Sequence, residues 1–107
     1  MEYRKKLEEY VGEQLKGYAK YNEISLADVS HVISIGVSIL ETKFPDIGPG
    51  YGGGGFVDAI LSNDLEATFA RADSTNRKYV LFYLQLLNSF SPYHIEGYAE
   101  ISDQKVQ

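Results

Sequence analysis

The sequence predicts an all-α protein: a small bundle of about four helices with a glycine-rich loop between the second and third. Three observations predict it. Apolar residues recur at spacings of three and four along most of the chain. Residues that cap helices, Ser25, Asp73 and Ser74, stand just ahead of apolar runs. Residues 75–90, built around the apolar core YVLFYLQLL, run sixteen residues without an internal turn signal, which favours helix over strand. A length of 107 residues suits one domain, and a hydrophobic content of 44% with 23% charged residues places it among ordinary globular proteins.

The first helix occupies residues 1–21. Tyr3, Leu7, Tyr10, Val11, Leu15 and Tyr18 form one apolar stripe, with charged residues on the other side. Gly12 and Gly17 weaken it. The second helix spans 25–44 and opens at Ser25, with Asp28 three positions on as in a capping box. Leu26, Val29, Val32, Ile33, Gly36, Val37, Ile39 and Leu40 share a broad face. Gly36, in its middle, lets another helix approach closely. Pro45 ends the helix. Residues 45–55, with six glycines and two prolines, form the loop.

The third helix is expected over 56–72, with Val57, Ile60, Leu61, Leu65 and Phe69 inward. The fourth covers 74–90, is apolar over more than half its circumference and stops at Pro92. Residues 91–107 form a tail that suits a short strand, a docking arm or disorder. The breadth of the fourth helix's apolar surface, together with nine tyrosines, points to a homo-oligomer.

The net charge is −5, against the basic surplus typical of duplex nucleic-acid binding. The most apolar segment, Tyr79–Leu87, is too short to span a bilayer, so no membrane partner is expected. The opening residues MEYRKKLEEY lack the greasy core of a signal peptide, and there is no cysteine, both of which fit a cytoplasmic location. His31 and His94 belong to no HxxE or HExxH pattern, and no Ser-His-Asp arrangement is readable. Neither a metal, a cofactor nor catalysis is expected.

The chemistry concentrates between Gly48 and Asn76. Glycines let backbone N–H groups approach a ligand, and the helix that follows offers unpaired donors with partial positive charge. Gly53, Gly54, Gly55 and Phe56 are therefore candidate contacts for a phosphate or carboxylate. The loop lacks the lysine and Ser/Thr of a Walker A motif, and a flexible connector is the competing reading. Tyr51, an aromatic inside the glycine run, is placed to cover a ligand, and Tyr51 or Phe56 is expected to stack on a base.

On a continuous third helix Leu61, Asp64, Thr68 and Arg71 fall within about 40° of Val57, the centre of the buried stripe. Asn76 lies on the matching side of the fourth helix. Two readings fit this polar row: a buried ion pair that fixes helix packing, or a ligand pocket lined also by Thr68, in which Arg71 takes an anion and Asp64 and Asn76 select hydroxyls or base edges.

A pattern accompanies these residues: Gly54-Gly55-Phe56, Ala59, Leu61, Asn63-Asp64-Leu65, Arg71-Ala72-Asp73, Asn76, then a hydrophobic helix ending at Pro92. It resembles a widespread group of small accessory proteins of tailed bacteriophages, of uncharacterised function, whose shared pattern is GGF-x-x-A-x-L-x-NDL followed by RAD-x-x-N. The likeness runs over residues 53–92, less than half the chain. It implies origin, a phage accessory protein acting in the host bacterial cytoplasm, and assigns no residue a role. Residues and resemblance together predict a non-catalytic binding protein that sequesters a small anionic ligand, a nucleotide immune signal being the fitting class. The alternatives are a module that binds and inhibits a host protein, or a structural component of the virion.

Overall fold

A computed structural model describes residues 3–44 and 54–91. Among the described residues the chain is all-helical, with six helices and no strand: α1 Tyr3–Tyr21, α2 Val29–Lys43, α3 Gly54–Leu61, α4 Leu65–Arg71, α5 Ser74–Lys78 and α6 Val80–Ser89. Helices α1, α2 and α6 pack on one another, α3 lies against α2, and α4 packs on α3 at the outside.

The stripe expected of α1 is the one it buries: Tyr3, Leu7, Val11 and Leu15, joined by Ala19. Each fully buried Leu or Val contributes roughly 1.5–3 kcal/mol of transfer free energy. Helix α1 ends in a Schellman turn. The Ile24 N–H donates to the Ala19 carbonyl (2.9 Å) and the Glu23 N–H to the Lys20 carbonyl (3.3 Å), with Glu23 left-handed at φ 56°.

Helix α2 begins at Val29 and not at Ser25. Asp28 precedes it in the left-handed region (φ 54°) and makes no side-chain cap. Its carboxylate instead accepts from the Thr75 hydroxyl at 3.0 Å, which draws the start of α2 towards α5. Leu26 and Val29 are consequently exposed, and the buried face starts at Val32. Gly36 stands at the crossing of three helices. A Cβ there would lie 2.8 Å from Val11 Cγ1 and 3.1 Å from Leu86 Cδ1. Close packing thus offsets the helix stability that glycine costs.

The single helix expected over 56–72 is two helices. Ser62, Asn63 and Asp64 separate them, and the reason lies in their backbone. The Asp64 N–H donates to the Ala59 carbonyl (3.0 Å) and the Asn63 N–H to the Ile60 carbonyl (3.2 Å), a second Schellman turn. Asn63 occupies its left-handed position at φ 60°, a conformation asparagine tolerates better than most residues. Asp64 then caps α4, accepting from the Ala67 N–H at 3.0 Å.

The expected fourth helix is likewise α5 and α6, divided at Tyr79, whose N–H bonds back three residues to Asn76 (3.1 Å). Asp73 caps α5 by accepting from the Asn76 N–H at 2.7 Å. Helix α6 buries Val80, Phe82, Tyr83 and Leu86 but leaves Leu81 65% exposed. Lys43 donates to the Leu87 carbonyl at 3.3 Å, a cation near the negative end of α6.

Among the described residues one ion pair reaches into the packed interior, from an Arg4 side chain that is 39% exposed. Glu41 is 1% exposed, and its Oε1 accepts from Arg4 Nη1 at 2.6 Å. Its Oε2 is buried with no hydrogen-bond partner among the described residues. The loop over 45–53 and the tail from 92 lie outside the described residues.

Candidate functional site

The break at Asn63 reorganises the polar row. A continuous helix would carry Asp64, Thr68 and Arg71 on one inward face, whereas the structure spends each of them differently. Asp64 is exposed and committed to the α4 cap. Thr68 is buried, and its hydroxyl donates to the Asp64 carbonyl at 2.6 Å, closing the first turn of α4. Asn76 is buried at the start of the α5–α6 arm, where its Oδ1 accepts from the Tyr83 hydroxyl at 2.9 Å. The expected convergence of Asp64, Arg71 and Asn76 is therefore corrected. No bond joins any two of the three, and the buried Asp64–Arg71 pair does not form.

Arg71 goes elsewhere. Its side chain folds back from the last turn of α4 across the first turn of α3. Arg71 Nη1 makes a long contact of 3.4 Å to the Gly55 carbonyl. A Cβ on Gly55 would lie 3.0 Å from Arg71 Cδ, so the absence of a side chain makes room for the arginine. Gly54, the first residue of α3, is left-handed at φ 74°, a conformation suited to glycine. Gly54, Gly55 and Arg71 are thus brought together, and all three are exposed. No carboxylate pairs with Arg71 among the described residues.

Phe56 is placed otherwise than a base-stacking role requires. It is buried edge-on against Tyr83, with ring centroids 5.7 Å apart at 70°. Tyr51 and Gly53 lie outside the described residues.

The electrostatics of the Arg71 corner follow from its geometry. The first N–H groups of a helix have no intrahelical acceptor and carry partial positive charge. A guanidinium laid over that end adds a full positive charge of the same sign. An anion placed between them relieves both, with charge-assisted hydrogen bonds from either side.

Sequence reasoning missed three associations. Arg4 pairs with Glu41, although Glu41 follows Val37 by one turn on the buried face of α2, which was the available signal. His31 Nε2 lies 3.2 Å from Asp73 Oδ2, so Asp73 both caps α5 and faces α2. Tyr83 binds Asn76 across two helical turns, and burial pushes the Tyr83 phenol well above its usual range, with Asp73 and then Tyr79 adding to the shift. Tyr83 is therefore a fixed hydrogen-bond donor. Burial also raises Tyr18, helped by Tyr79.

Among the described residues no group of three His, Asp or Glu side chains is arranged to hold a metal ion, and no helix is long and apolar enough to cross a membrane. No family model, curated protein or solved structure matches the chain.

Proposed function

We propose that this chain is a non-catalytic binding protein that sequesters a small anionic ligand, with a phosphate-bearing nucleotide as the ligand class. The observation that supports the reading is the Arg71 guanidinium, exposed and free of any carboxylate partner among the described residues, lying over the first turn of α3. The first-turn amides and Arg71 hold the phosphate. Phe56 anchors the start of α3 by packing on Tyr83, whose hydroxyl donates to Asn76; Thr68 closes the first turn of α4, and Asp64 caps it. Together with the resemblance to phage accessory proteins, this supports reading the chain as a sponge in the bacterial cytoplasm for a nucleotide signal of host defence.

Isothermal titration against cyclic nucleotides and ADP-ribose derivatives tests the reading. Micromolar binding of one of them, weakened at least tenfold by Arg71→Ala, is expected. Absence of binding across the whole panel at high micromolar concentration would overturn it.

A second reading, a module that docks on a host protein, draws on one observation. Leu65 and Phe69, one turn apart on α4, remain 55% and 45% exposed. The same pair suits the homo-oligomer that the sequence suggests. A stoichiometric partner captured from bacterial lysate and retained by Arg71→Ala would favour this second reading.

A further inference from the structure

The side of the molecule formed by α1 and α6 carries a groove with two adjoining lobes of about 320 and 290 Å3, both bordered by Gln14 and Gln85. These volumes stand at the lower end of small-molecule sites. The first lobe has an apolar floor of Phe82 and Leu86, both buried. In the second, Tyr18 packs against Phe82 with ring centroids 5.4 Å apart. The ring of Tyr21 stands at its border, 88% exposed.

Two further features distinguish the groove from an ordinary crease between helices. The side-chain amides of Gln14, Gln85 and Asn88 border it and make no hydrogen bond to the described residues. Asn22 donates to the Tyr18 carbonyl at 2.9 Å, which leaves its own side-chain carbonyl free. The second feature is Gly17. A glycine inside a helix costs about 1 kcal/mol relative to alanine and is ordinarily offset by a close approach. Gly36 shows such an approach; Gly17 has no described atom within 4 Å of where its Cβ would lie. Gly17 borders the second lobe as bare backbone, and any side chain there would narrow the groove.

Charge selects the ligand class. Among the described residues bordering either lobe the only charged side chain is Glu13, which already has Lys16 Nζ at 3.5 Å. Among the described residues no cation borders the groove, so they offer nothing there to hold a phosphate. Unspent amides suit the planar donor–acceptor edge of a base, as in the pairing of Asn or Gln with adenine, and exposed aromatics suit its face.

We propose that the groove between α1 and α6 is a binding site for an uncharged planar heterocycle of nucleobase size. Paired amides from Gln14 and Gln85 read its edge, Tyr21 covers its face, and Gly17 leaves it room. The site shares no residue with the Arg71 corner and does not rest on the anion reading.

Chemical-shift mapping of the full chain with adenosine and uridine, which carry no phosphate, tests it. Perturbations centred on Gly17, Tyr21 and Gln85 at millimolar nucleoside are expected. Gly17→Leu should weaken them at least tenfold while leaving the melting temperature unchanged or higher, because the helix gains a better former. The double variant Gln14→Ala/Gln85→Ala should weaken them without filling the groove, and Arg71→Ala should leave them intact. Silence of the α1 and α6 signals towards both nucleosides would overturn the inference, as would undiminished binding by Gly17→Leu. A nucleotide that shifts only Gly54–Phe56 would overturn it too, and would leave the Arg71 reading standing.

Discussion

Single residues carry more here than their chemistry suggests, and Glu41 carries most. Its side chain is buried, and Arg4 Nη1 is the hydrogen-bond partner of its Oε1. Removing one partner from a buried pair leaves an uncompensated charge, whereas replacing both by apolar groups is often neutral. Arg4→Ala should lower the free energy of unfolding by about 3 kcal/mol, and Arg4→Met/Glu41→Leu should recover most of it. Urea titrations of the three proteins check this.

Tyr83 gives a pH prediction. Its folded-state pKa is raised, chiefly by burial, so the folded protein holds the phenolic proton more tightly than the unfolded chain. That contribution is fully present below the unfolded value near 10 and is lost as pH rises above it towards the folded value. Stability should therefore fall on the alkaline side of about pH 10. Tyr83→Phe should flatten that fall and, by leaving Asn76 Oδ1 without its donor, cost about 1–3 kcal/mol at neutral pH. Thermal melts across the alkaline range report both effects.

Elements show where the sequence was legible and where it was ambiguous. Helix α1 could be read because its stripe is uninterrupted and its partners meet it on one side. The α3–α4 break could not, because the deciding residues have two meanings. Asp64 falls on the inward face of a continuous helix and is equally a helix cap. Asn63 is tolerated inside a helix and also at its left-handed end. Local turn hydrogen bonds, and not periodicity, chose between them. Once the helix broke, the polar row lost its common face, and Arg71 was carried to the first turn of α3. The Gly55–Arg71 contact was invisible beforehand, since it needs both the break and the return of α4 onto α3. Asp64→Ala should cost about 1 kcal/mol through loss of the cap. Asn63→Gly should be neutral or mildly stabilising, while Asn63→Val is destabilising because a β-branched residue is strained at φ 60°. Chemical denaturation of the three variants distinguishes a stop-and-restart turn from a continuous helix, in which Asn63→Gly would instead be costly.

At the scale of the whole molecule, α1, α2 and α6 pack together, α3 seats Phe56, Val57 and Ile60 in the same core, and α4 lies on the outside of α3. The exposed Leu65 and Phe69 belong to that outer helix. If the protein assembles through them, Leu65→Ser/Phe69→Ser should reduce the mass measured by light scattering to that of one chain, with the melting temperature little changed.

The anion corner lies where that outer helix meets the start of α3, and it is tested most directly through Arg71 itself. Titrating the 15N-labelled protein with a nucleotide from the binding panel should move the Arg71 Nε–H signal together with the amides of Gly54, Gly55 and Phe56, at one shared midpoint. A nucleotide that binds the protein while those four signals stay in place would contradict the account.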